Sequence, residues 1–168
     1  MRKLGMVLAV AVLAGLGAGA AQAKLTPAEQ KWVTPLIKVW NVQNAGLHLV
    51  IGQAAAKNAL VAGEKPENYN LTNTLAALIN CAAPIKKAGS PPSPRLSVFD
   101  EALSSACTHD SAGAHYFAKA IGAVSKKNNK LANSYLGKGV AEFKLGSAQV
   151  AKAYKALLAV GGKNIFVA

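Results

Sequence analysis

Apolar residues near the end of the chain recur at helical spacing. From Leu131 to Val160, the positions Leu136, Val140, Phe143, Ser147, Val150, Tyr154 and Leu157 follow one another in alternating steps of four and three. At about 100° per residue they form one seam, the spacing of a helix packed along another. A second register runs beside it, with Ala132, Gly139, Gly146 and Ala153 recurring every seven residues. Glycine costs a helix about 1 kcal/mol relative to alanine. Two glycines at this spacing therefore predict close backbone contact with a neighbouring helix. Lys130, Lys138, Lys144, Lys152 and Lys155 fall within an arc of roughly 120° on the other side of the same helix, and only Glu142 interrupts their positive charge. Gly161-Gly162 ends the element.

The same periodicity predicts three further helices upstream. Thr26-Pro27-Ala28-Glu29 has the form of a capping box with proline at the first helical position. Behind it Trp32, Leu36, Trp40, Leu47, Val50, Ile51, Ala54 and Val61 share a face, so a helix is expected from Pro27 to about Val61, with a kink at Pro35. Gln43, Asn44 and Asn58 fall on or near its buried side, and each needs a polar partner. After a polar turn at 64–68, Leu71, Leu75, Leu78, Ile79, Ala82 and Ile85 mark a helix over about 72–87, which Pro84 bends or ends early. Gly89-Ser90-Pro91-Pro92-Ser93-Pro94 suits only a stiff, extended crossover. Ser97 is expected to cap the third helix, whose inward positions are Phe99, Leu103, Ala106, Ala114, Phe117, Ile121 and Val124. Across Thr108-His109-Asp110-Ser111 either the helix continues with Asp110 facing the core, or it breaks and Asp110 or Ser111 caps a new segment. No strand pattern of period two occurs. The expectation is an all-α fold, a mainly antiparallel four-helix bundle with a Pro-rich crossover loop and one disulfide.

The first residues belong to a different class. Arg2 and Lys3 precede an apolar run from Leu4 to Ala20, and Ala21-Gln22-Ala23 offers small residues at −3 and −1 of a signal-peptidase site. Residues 1–23 are read as a signal peptide, and residues 24–168 as one helical domain of secreted, periplasmic or otherwise extracytoplasmic location. Nothing after Leu25 is long and apolar enough to cross a bilayer. Cys81 and Cys107 are the only cysteines, without CxxC spacing. In an exported chain such a pair reads as a disulfide, worth about 3 kcal/mol in the chain-entropy model.

The chain carries a formal net charge of +12, two fewer without Arg2 and Lys3. The lysine-rich side of the last helix suits an anion: an envelope polymer, a lipid surface or an acidic protein. Nucleic acid is the weakest partner, because Arg95 is the one arginine after the leader and the stripe lacks aromatics on its outer side. Catalytic patterns are absent. Ser104, Ser105 and Ser111 lie near His109 without a nucleophile elbow, and Asp100, Glu101, Asp110 and Glu142 form no recognisable acid/base pair. Asn70-Leu71-Thr72 matches a glycosylation acceptor, relevant only in a eukaryotic secretory pathway. His109 and His115 are six apart, about 240° around a helix, and no HExxH or CxxCH occurs. Both methionines, Met1 and Met6, belong to the leader. A metal site built from His48, His109 and Asp110 requires the fold to gather them. The reading is a non-enzymatic binding module with no cofactor. Its alternative is a bundle holding a small ligand, haem or metal near Trp32, Trp40, His48 and His109.

Overall fold

The computed structural model describes residues 24–55 and 71–162, with side chains at 24–44 and 73–162. The expected signal segment, Asn58, the turn at 64–68, Asn70 and the apolar ending Ile165–Val167 lie outside these residues. His48 lies outside the described side chains. Among the described residues there are five α-helices and no strand: α1 (Pro27–Ala55), α2 (Leu71–Ile79), α3 (Ala82–Ala88), α4 (Ser97–Ser125) and α5 (Asn129–Ala159).

The helix starts show which local signals act. At α1 the capping box forms in full: Glu29 N–H donates to Thr26 Oγ1 (3.3 Å), and Thr26 N–H donates to Glu29 Oε2 (2.7 Å). The helix then runs on through Pro35. At α4 the expected cap is wrong by one residue. Pro94–Leu96 forms a 3₁₀ turn that feeds directly into the helix, so Leu96 takes the cap position without a side-chain bond and Ser97 is already helical. At α5, Asn128 Oδ1 accepts from Leu131 N–H (3.1 Å) and closes the tight link from α4. Gly161, at φ +86°, takes the left-handed conformation just past the end of α5.

The single helix expected over 72–87 is two. The interruption falls at Asn80–Cys81 rather than at Pro84. A proline lacks the N–H that would bond the carbonyl four residues back, and its ring crowds that carbonyl. For Pro84 that carbonyl belongs to Asn80. Pro84 itself then sits in the first turn of α3, where its missing N–H costs nothing.

The helix through Thr108–Ser111 is continuous, and Asp110 is fully buried. Helices α4 and α5 form the dominant pair, an antiparallel hairpin in close contact along its length. Its buried line on α5 is Ala132, Gly139, Phe143, Gly146, Val150, Ala153 and Leu157. This corrects the expected seam by part of a turn: Ser147 and Tyr154 are exposed, and Leu136 and Val140 are half-buried. The heptad of small residues faces the partner together with Phe143, Val150 and Leu157 of the larger apolar set. A Cβ added at Gly139 would lie 2.6 Å from the Phe117 ring and 3.2 Å from the Gly113 carbonyl; at Gly146 it would overlap the Asp110 carboxyl.

Helix α1 packs on one flank of this hairpin, parallel to α4 and antiparallel to α5. Trp32 meets Phe99 edge to face (centroids 6.2 Å apart), and the Trp40 indole stacks on Tyr154 and donates to the Val150 carbonyl (3.3 Å). One core cluster gathers Val33, Leu36, Phe99, Leu103 and Leu157; a second gathers Leu75, Leu78, Phe117, Phe143 and Val150. The disulfide Cys81–Cys107, with Cα atoms 5.8 Å apart, joins the α2–α3 junction to the middle of α4 beside Val39. Ile121 and Val124, expected inside, are half exposed (52% and 57%).

Candidate interaction face

The lysines of α5 stand where helical geometry puts them. Lys130, Lys138, Lys144, Lys152 and Lys155 are all exposed, on the side opposite the buried small residues. None of the five forms an ion pair among the described residues. Glu142, the one acid of this helix, is held elsewhere: its Oε2 lies 2.8 Å from His109 Nδ1 on α4. The helix that carries the stripe is about 46 Å long at 1.5 Å per residue.

The hairpin concentrates charge in a way the linear stripe does not show. Residues 111–141 hold Lys119, Lys126, Lys127, Lys130 and Lys138 and no aspartate or glutamate. Because α4 and α5 are antiparallel, all of these lysines fall in the half of the hairpin around the α4–α5 turn. Asp100 and Glu101 sit near the other end of α4, where burial and the neighbouring Glu101 push the Asp100 carboxyl up. Aromatic side chains lie beside the stripe, at the edge of the α4–α5 contact and not on its outer side. Tyr116 of α4 and Tyr135 of α5 stack across the hairpin (6.4 Å), with Lys119 and Lys138 within 6 Å of the Tyr116 ring. These tyrosines escaped the sequence reading because they lie on different helices.

The remaining sequence candidates are dispersed. No group of three His, Cys, Asp or Glu side chains capable of holding a metal occurs among the described residues. His109 turns to Glu142, and Asp110 faces Gly146. Trp32 and Trp40 are half-buried and pack against the two core clusters. Surface grooves lie on the described residues. One of about 640 Å³ runs between α1 and the α2–α3 junction, floored by Val39, Val42, Ala77 and Pro84 with Lys38 and Lys87 at its rim.

Two buried polar features have no counterpart in the sequence reading of function. Glu29 is closed off from water while Arg95 binds both its carboxylate oxygens, one through Nε at 2.7 Å, and Ser93 adds a third bond. The guanidinium holds the Glu29 carboxyl well below the usual carboxylate range. Arg95, the one arginine after the leader, is therefore a structural residue. The second feature is the pair Gln43 and Asp110, both fully buried and without a hydrogen-bond partner at either side-chain polar atom. Val39 packs beside Cys107, and one turn further along these parallel helices come Gln43 and Asp110. Both therefore lie at the height of Gly146. Burial pushes the Asp110 carboxyl up to about 7.

No family model, curated protein or solved structure matches this chain.

Proposed function

We propose that the chain is an exported, non-enzymatic binding module that contacts an anionic partner through the basic face of α5. In this reading residues 1–23 are removed on export and residues 24–168 form one domain. The architecture is a four-helix bundle in which α2 and α3 together act as a single bent member beside α1, α4 and α5. The class of partner is an envelope polymer, a lipid surface or an acidic protein.

One observation carries the reading. Five lysines on one helix are exposed without a carboxylate partner among the described residues, while the one acid of that helix is engaged by His109. An amphipathic helix that needed only solubility gains a few tenths of a kcal/mol from each i, i+4 ion pair on its outer face; this face forgoes them. The test is retention on an immobilised polyanion such as polyglutamate as salt rises. Retention at low salt should fall steeply with ionic strength, and Lys144→Glu with Lys152→Glu should weaken it while leaving helicity intact. No retention at low salt on either the polyanion or anionic vesicles would end the reading.

A second reading, a small-ligand bundle, is favoured by the groove beside the disulfide, whose floor is apolar and whose rim carries Lys38 and Lys87. It requires a ligand in protein purified from its native source. Native mass spectrometry that shows only the polypeptide refutes it.

A further inference from the structure

A hydrated polyanion and an anionic bilayer both attract lysines, but only the bilayer also rewards aliphatic side chains exposed beside them. The end of the α4–α5 hairpin has both. Ile121 and Val124 in the last turns of α4, and Leu131 in the first turn of α5, are 52%, 57% and 40% exposed. Between and around them stand Lys119, Lys126, Lys127 and Lys130, all exposed. Lys127 takes a left-handed conformation (φ 56°) in the turn. No carboxylate occurs from residue 111 to residue 141 to repel an anionic headgroup.

Helical positions place the aliphatics on both flanks of the hairpin. Ile121 and Val124 lie on the flank that α1 and α2 occupy further down, and Leu131 lies on the flank of Tyr116 and Tyr135. They therefore border the end of the hairpin, not one side of it. Lysine and tyrosine suit the same boundary, since each has an apolar body and a polar tip that reaches the headgroups. A wall polymer leaves the three aliphatics unused, and an acidic protein would cover one contiguous apolar patch on a single side, whereas these border the end of the hairpin on both flanks.

We infer that the α4–α5 hairpin end docks on anionic phospholipid bilayers, with Lys119, Lys126, Lys127 and Lys130 at the headgroups and Ile121, Val124 and Leu131 in the acyl boundary. This rests on the anionic-partner reading and selects the lipid surface from its alternatives.

The experiment compares two probes on the same purified full-length protein, with the N-terminus of every sample fixed by intact mass. One probe is sedimentation with vesicles of 70% phosphatidylcholine and 30% phosphatidylglycerol, beside pure phosphatidylcholine vesicles. The other is retention on polyglutamate. The unaltered protein should partition to the anionic vesicles at least tenfold more strongly than to the neutral ones. The variant Ile121→Ser/Val124→Ser/Leu131→Ser alters exposed positions only. It should lose tenfold or more of the anionic-vesicle partitioning while its polyglutamate retention stays within about twofold. Lys126→Ala/Lys127→Ala/Lys130→Ala should lose at least as much on vesicles. Circular dichroism of each variant shows that the helices persist. Retention on polyglutamate without partitioning to anionic vesicles overturns the inference and leaves the wider reading standing. Binding to neither overturns both. Undiminished vesicle binding by the serine variant also overturns it, because charge alone would then suffice.

Discussion

Adding one methyl group at either of two glycines, Gly137 and Gly139, should move stability in opposite directions. Both lie in the first half of α5, two residues apart, and both carry the same intrinsic penalty of about 1 kcal/mol relative to alanine. Their surroundings differ. A Cβ at Gly137 meets nothing within 4 Å, whereas one at Gly139 lies 2.6 and 2.8 Å from Cδ2 and Cε2 of Phe117 and 3.2 Å from the Gly113 carbonyl oxygen. The Phe117 ring has little room to move, being buried against Phe143 with centroids 5.4 Å apart. The ring or the helices must therefore give by the better part of an ångström. Overpacking of this kind costs about 1–3 kcal/mol. Gly137→Ala should gain about 1 kcal/mol. Gly139→Ala has the same propensity gain, so the difference between the two variants isolates the clash at about 1–3 kcal/mol. Urea unfolding followed by circular dichroism at 222 nm, with unchanged m-values, measures that difference. Equal stabilities would refute the close approach of α4 and α5 at this height.

Three other outcomes follow from the buried groups. The Asp110 carboxyl titrates near 7 when folded and near 4 when unfolded, so the folded chain holds a proton that the unfolded chain releases, and stability should fall by up to about 1.4 kcal/mol per pH unit from about pH 4 to 7 and level off above. Asp110→Asn should flatten this slope in urea titrations run from pH 5 to 8; an unchanged slope rules out Asp110 as its source. Glu29 has the opposite sign, its carboxyl being depressed by Arg95, so its contribution is full above the ordinary carboxylate range and disappears in acid; Glu29→Gln should cost about 1–3 kcal/mol at neutral pH and remove that acid sensitivity, and no loss at pH 7 would contradict it. Replacing Cys81 and Cys107 together by serine should lower stability by about 3 kcal/mol, read from the urea midpoint with the m-value checked, and a change below about 1 kcal/mol would mean that the bridge does not constrain the unfolded chain.

Sequence reading succeeded where one helix determines the answer. Amphipathic spacing located α1, α4 and α5, the capping box formed residue for residue, and the glycine heptad marked the face in contact with α4. Cysteine parity found the Cys81–Cys107 bridge. It failed where the answer depends on how two helices are rotated against each other. Ser147 and Tyr154 share the apolar seam by spacing, yet the contact follows the smaller residues, because alanine and glycine let backbones approach and a close pair excludes its larger neighbours. Ile121 and Val124 are apolar and in phase, but nothing in a one-dimensional pattern says whether a third helix reaches that height. Asn80–Cys81 shows a subtler failure, in which a proline disrupts the carbonyl one turn before itself. Arg95 entered the sequence analysis only as the lone arginine after the leader; the fold reveals the buried carboxylate of Glu29 beside it.

The distribution of fastenings along the hairpin bears on how it could work. The disulfide at Cys107, the Trp32–Phe99 contact and the Trp40 bond to Val150 all engage one half of α4 and α5, and the Glu29–Arg95 pair ties α1 to the turn that leads into that half. The other half, from residue 111 to residue 141, is held by packing that includes Leu75 and Leu78 of α2 against Ala114 and Phe117, by Ser111 donating to the Ile79 carbonyl (3.3 Å) and by the tyrosine stack across the pair. Close packing of small residues supplies stiffness there: two helices whose backbones nearly touch at Gly113 and Gly139 cannot slide or rotate without collision. The end of the hairpin carries lysines without an ion pair among the described residues, together with the exposed aliphatics. If stability were the only selective demand, those features would be costly, since like charges repel and Ile121, Val124 and Leu131 gain little burial. Their placement at the end of the hairpin, away from the disulfide and the Glu29–Arg95 pair, is what the proposed contacting surface would require.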